Sequence, residues 1–256
     1  MPERDPRYTS RIQKGGAMFN EMRQLVRLWR DVPLEVNKAA LIAANPTNMP
    51  TRARAVDVLN RIFVPRFVDG PVPDGWKLVQ VLENLEAPSS TVRPIYFWLT
   101  ALAEPLLHDL CTEYLAACRD RGLRNVETAD AAAWVAGKGQ SWSETVIIKV
   151  TRAMLAALRD FGILEGRVRK QIATPSLNPA AFAFIAFNLH RTGVPARNLM
   201  SHSDWKLFLI GQDYVEHLFL ECHQRRLLDY QAAGSVVSLS FPSTTVEEYA
   251  RVVLGR

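Results

Sequence analysis

The scarce residues narrow the chemistry first. The 256-residue chain has three cysteines, Cys111, Cys118 and Cys222. Their number is odd and no C-x-x-C occurs, so neither a disulfide framework nor a zinc knuckle follows, and a reducing cytoplasm is the expected setting. Long apolar runs are also missing. The most apolar run, Ala180 to Phe187 (AAFAFIAF), has eight residues between Asn178 and Asn188, whereas a membrane span needs about 20. It reads as a buried helix, and no membrane association is expected. Residues 1–16 are polar and charged, unlike a secretion signal.

Catalytic patterns occur only as fragments. There is no H-E-x-x-H, G-x-S-x-G or EF-hand loop. Ala136-Gly137-Lys138-Gly139 lacks the first glycine of a phosphate loop, and Gly139 stands where the magnesium-binding hydroxyl would be. Ser203 and Lys206 make S-x-x-K without its partner motifs, which fits the start of a helix with an exposed lysine. His217, Cys222 and His223 are spaced by five and six residues, so one helix would not put them on a shared face, and zinc would want a fourth ligand. Carboxylates are scattered. No catalytic residue, metal site or cofactor is expected, and the chain reads as a non-enzyme.

What the chain does have is an ordinary apolar content, 48%, with 22% charged residues, enough for one large core or two modest ones. The net charge of +5 is uneven. Pro50–Arg66 holds four Arg against one Asp, and Ser141–Ile172 six basic against three acidic residues. Local basic segments on a near-neutral body suggest a polyanionic partner.

The spacing predicts a mainly α protein: bundle-like helical domains with helix-turn-helix units and a small β-hairpin (wing) near the C-terminus. Residues 1–16 read as a mobile basic arm, 17–122 as a first helical domain and 123–256 as a second, divided at the polar stretch Arg119–Asn125. In the first, a helix Leu34 to Ala44, a turn at Asn45–Asn48 and a basic helix begun by Pro50 and stopped by Pro65 make one helix-turn-helix candidate. Its outward cations are Arg52, Arg54 and Arg61. In the second, Thr128 to Ala136 reads as a short helix and Gly137–Gln140 as a turn. Ser141 and Glu144 then form a capping box for a long helix. Val146, Ile147, Val150, Met154, Leu155, Leu158 and Phe161 recur at helical spacing, and Gly162 follows as a left-handed stop. Lys149, Arg152 and Arg159 fall on the opposite face. Ile163–Ile172, a short strand or wing, carries Arg167, Arg169 and Lys170. An ordinary solvated amphipathic helix shows the same pattern, so these parts alone leave both readings open. Near the end, Leu227–Tyr230 and Val236–Phe241 flank a turn Gln231–Gly234; Val237, Leu239 and Phe241 alternate with serines at the strand period.

Four stretches together resemble a known family. They are RYTSRIQKGGAMFNEMRQLVRLW, NMPTRARAVDVLNRIF, WSETVIIKVTRAMLAALRDFGILEG and LLDYQAAGSVVSLSF, which recur in that order in the BrxA family of bacteriophage-exclusion (BREX) defence systems. The resemblance covers about residues 7 to 252. It implies an all-helical, non-catalytic protein that binds double-stranded DNA through helix-turn-helix elements, with other defence proteins as further partners. On that reading Lys149, Arg152 and Arg159 face the duplex, Arg167, Arg169 and Lys170 meet phosphates, and Thr145 and Ile148 lie near base edges. A monomer is expected. The rival readings are a protein–protein adaptor within the defence complex and an RNA-binding protein similar to antitermination factors.

Overall fold

The computed structural model describes residues 7–138, 141–233 and 236–256. Helix dominates, with two small antiparallel sheets among the described residues. Helices α1 (Phe19–Leu28), α2 (Leu34–Ala44) and α3 (Arg52–Val58) open the chain, followed by α4 (Gly75–Asn84) and α5 (Ser89–Ala103). Glu104 breaks the helical path (φ −120°, ψ 80°), and Pro105 starts α6 (Pro105–Asp109) at its first position, where no N–H is missed. A wider coil over Leu110–Leu115 joins α6 to α7 (Ala116–Asp120). Then come β1 (Asn125–Val126), α8 (Thr128–Ala136), α9 (Glu144–Asp160), β2 (Leu164–Glu165) and β3 (Lys170–Ile172). The last third holds α10 (Pro179–Arg191), α11 (Ala196–Met200), α12 (Gln212–Gln224), β4 (Asp229–Ala233), β5 (Val236–Ser240) and α13 (Val246–Val253).

Four expectations need correction. Pro65 does not end its helix. Beyond Val58, α3 opens into a wider π-type coil over Leu59–Val68, and the amide of Asp69 reaches five residues back to the carbonyl of Val64. The wider turn admits a ring that an α-turn would exclude. The cap of α9 is Ser143, not Ser141: its hydroxyl accepts the Val146 amide hydrogen at 3.4 Å. The turn before α9 was placed at Gly137–Gln140, of which Gly139 and Gln140 lie outside the described residues; α8 itself runs from Thr128 to Ala136 as expected. Near the C-terminus, residues 231–233 belong to strand β4 and not to the turn, because Asp229 to Ala233 pair in register with Ser240 to Val236; Gly234 lies outside the described residues.

The fourth correction concerns the arm. Residues 1–6 lie outside the described residues, but the chain from Arg7 onward is packed. Tyr8 is 7% exposed and Ile12 only 2%, Ile12 within a tight helical turn at Arg11–Lys14 that precedes the glycine pair. Polar and apolar anchors act together. The Arg11 guanidinium meets Glu104 at 3.0 Å and the Ala103 carbonyl. Glu104 also holds the wholly buried Arg66, at 3.1 Å, and Arg66 donates to the Gly16 carbonyl at 2.9 Å. Burial lowers the pKa of Arg66, and Glu104 opposes that shift. Gly15 touches α3's continuation so closely that a Cβ would meet Ile62 Cδ1 at 2.3 Å. This segment forms a strap that also packs on α9.

The core runs without a break across Arg119–Asn125. Phe161, at the end of α9, packs against Phe97 of α5 (centroids 5.3 Å apart) and Phe19 of α1 (6.4 Å). Phe97 meets Phe208 at 5.6 Å, and Trp98 donates its indole N–H to Asp204 at 2.7 Å. Helix α10 is buried along nearly its whole length, with Phe182, Phe184, Ile185 and Phe187 inside. Among the described residues no helix is long and apolar enough to cross a membrane. A second buried carboxylate, Glu83, receives Arg23 at 2.6 and 2.9 Å and Arg27 at 2.9 Å, tying α1 to α4.

Candidate nucleic-acid interface

Helix α9 is amphipathic by sequence, and the fold uses it so. Val150, Thr151, Met154, Leu155, Ala157 and Leu158 face the core. Thr145, Lys149 and Arg152 are exposed on the other side. Neither Lys149 nor Arg152 has a carboxylate partner among the described residues, whereas Arg159 is held to its neighbour Asp160 at 2.6 Å. Gly162 follows at φ 85°, as the spacing predicted.

The chain then makes the hairpin β2–β3, and β1 adds to its far side, giving the order β1-β3-β2. The register pairs Asn125 with Gln171, Val126 with Lys170, and Leu164 with Ile172. Val126 is the last residue of β1, and α8 begins two residues later. The hairpin turn therefore lies at the same end of the sheet as the start of α8. Arg167, Val168 and Arg169 occupy that turn and are exposed, Val168 to 91%. Arg167 and Arg169 also have no carboxylate partner among the described residues. Lys170 is half-buried, its ammonium 3.4 Å from the Arg167 carbonyl. Gly166 fixes the turn: its φ is 82°, and a Cβ there would come within 2.0 Å of the Arg169 carbonyl oxygen.

The first basic segment is less free than its composition suggested. Of its four arginines, Arg66 is inside. Arg54 and Arg61 both bind Asp57, at 3.4 and 2.8 Å, and Arg54 also donates to the Lys14 carbonyl. Arg52 stays exposed and has no carboxylate partner among the described residues. The strap lies between α3's continuation and α9, touching both, so it links the two basic segments in space. Between α8 and α9 runs a groove of about 480 Å³, lined by Ala129, Ala132, Ala133, Ile147, Ile148 and Arg152.

Two features escaped the sequence reading. Val168 had a signal, an aliphatic residue between two arginines just after a glycine. Arg124, which meets Glu165 at 3.5 Å beside the sheet, had none, because β1 is too short for a strand period to show. No group of three or more His, Cys, Asp or Glu side chains gathers to hold a metal among the described residues.

The fold and this surface together define a mainly α-helical protein that presents the exposed Lys149 and Arg152 of α9 beside a small basic hairpin. The BrxA family profile matches residues 6–188. The chain belongs to the BrxA family and is thereby a component of a BREX phage-defence system. No curated protein and no solved structure matches it.

Proposed function

We propose that this protein is a non-catalytic binder of double-stranded DNA, and that β1, α8, α9 and the β2–β3 hairpin act as a winged helix-turn-helix. The observation that carries this reading is the set of four exposed cations, Lys149, Arg152, Arg167 and Arg169, none with a carboxylate partner among the described residues. They sit on one helix and on the hairpin that follows it. Cations already neutralised by protein carboxylates contribute little to phosphate binding, whereas free ones release counterions from the duplex. Helix α9 would lie along the major groove, with Thr145 near base edges, and α8 would cross the backbone. Thr145 is a weak base reader, so the binding is mainly electrostatic and nearly indifferent to sequence. Arg52 extends the basic surface beyond α9, while Arg54, Arg61 and Arg159 are largely spent on Asp57 and Asp160.

The test is a competition among unrelated DNA duplexes, RNA hairpins and single strands, together with a salt titration. Duplex DNA is expected to win irrespective of sequence, and binding should fall steeply with salt. Preference for RNA, or a flat salt response, refutes the proposal. One observation favours an adaptor role as a second reading: Leu28, Val32 and Val36 are exposed together beside a groove of about 220 Å³ at the junction of α1 and α2. A pull-down of other defence proteins that survives both nuclease and Arg152→Glu would favour that role.

A further inference from the structure

The β2–β3 turn combines features that phosphate binding alone does not explain. A purely electrostatic contact would place only cations at the tip. Here the most prominent side chain is aliphatic: Val168 is 91% exposed, the highest among the large exposed apolar residues. Arg167 and Arg169 flank it, exposed and without carboxylate partners among the described residues. The turn requires glycine, since a Cβ at Gly166 would meet the Arg169 carbonyl, and the Lys170 ammonium bonds the Arg167 carbonyl across it. The sheet register aims this tip to the end of the sheet where α8 begins. An apolar point between two guanidinium groups suits the DNA minor groove. Its walls are deoxyribose, its rims are phosphates, and its potential is most negative where A·T pairs narrow it.

Building on the duplex-binding reading, we propose that Val168 enters the minor groove as an apolar probe while Arg167 and Arg169 reach the phosphates on either side. The hairpin then senses groove width and floor chemistry, and adds a shape preference to an otherwise indifferent binder. Guanine places its 2-amino group on the minor-groove floor and adenine does not. A floor lined by that amine obstructs Val168, and A·T tracts accommodate it.

Three duplexes of equal length separate this from major-groove reading: A·T-rich, G·C-rich, and one with inosine replacing guanine in the G·C sequence. The inosine duplex keeps a G·C-like major groove but has no 2-amino group in the minor groove. The wild-type protein should bind the A·T and inosine duplexes about fivefold more tightly than the G·C duplex, within the range for single-position discrimination. Val168→Ser should erase that difference while leaving the thermal midpoint unchanged, because the side chain touches no core. Netropsin, which fills the minor groove of A·T tracts, should lower wild-type affinity on the A·T duplex to its G·C level. If all three duplexes bind alike, or if Val168→Ser and netropsin change nothing while Arg152→Glu still weakens binding, the hairpin inference fails and the duplex-binding proposal stands. If Arg152→Glu and salt also have no effect, both fail.

Discussion

The difference between free and spent cations can be measured by reversing one of each. Arg152 is exposed and has no carboxylate partner among the described residues; Arg61 is also exposed but lies 2.8 Å from Asp57. If Lys149, Arg152, Arg167 and Arg169 each neutralise one phosphate, log K should fall with log[salt] at a slope of about −3.6, taking about 0.9 per phosphate. Raising salt from about 50 to about 200 mM, roughly 0.6 of a decade, then weakens binding about 150-fold. Arg152→Glu removes one contact, so the slope should flatten to about −2.7 and the same change in salt should cost only about 40-fold. Arg61→Glu removes a charge that Asp57 already balances, and the slope should stay near that of the wild type. Fluorescence anisotropy with a labelled duplex over that salt range reads both slopes. Equal flattening by the two variants would refute the division into free and spent cations. An unchanged slope for Arg152→Glu would remove α9 from the interface.

Three further outcomes follow from the packing. Glu104→Gln leaves Arg66 buried without a counter-charge and should cost about 3 kcal/mol. That lowers the thermal midpoint by about 6–12 °C at the sensitivity usual for a chain of this size; an unchanged midpoint would refute the role given to the buried Arg66–Glu104 pair. Ser143→Ala should destabilise by about 1 kcal/mol through loss of the α9 cap, and Ser141→Ala should be silent in the same denaturant titration. Cys111, Cys118 and Cys222 are all buried, so a disulfide-exchange reagent at mildly alkaline pH should titrate three thiols only after unfolding. Burial raises the Cys111 thiol far above its ordinary 9.0 and pushes Cys222 up to about 12. Unfolded thiols ionise first, so their contribution to stability is complete below about pH 9 and is lost as pH rises from there.

Periodicity found the helices wherever one face decides burial. The bounds of α2 and α8 follow directly from the apolar spacing and the flanking turns. For α9 the helix was legible and its cap was not. Ser141 satisfies the S-x-x-E pattern, but the half-buried Trp142 packs on the core, and the helix begins only after Ser143. Pro65 misled because a stop at proline assumes an α-turn, and the wider coil that admits the ring is set by what packs around it. The strap looked mobile because its anchors are remote: Tyr8 bonds Asp109 and Arg11 bonds Glu104, 101 and 93 residues away. The same distance concealed Arg66, which counts as surface charge in the sequence and is wholly inside in the fold. The β1–β3 sheet has strands of two or three residues, too short for alternation to register, and its central pairing spans 46 residues from Asn125 to Gln171. Of the candidate site, the residue types and the face of α9 were readable. Which cations are free depends on neighbours that only tertiary structure supplies.

The strap sets an order on synthesis. Its turn is made before its partners: the carboxylate that Arg11 needs is translated 93 residues later, and the α9 surface beneath the turn later still. The turn thus cannot seat until α9 has been made. Until then Tyr8 and Ile12 stay exposed on the nascent polypeptide, where a chaperone could hold them.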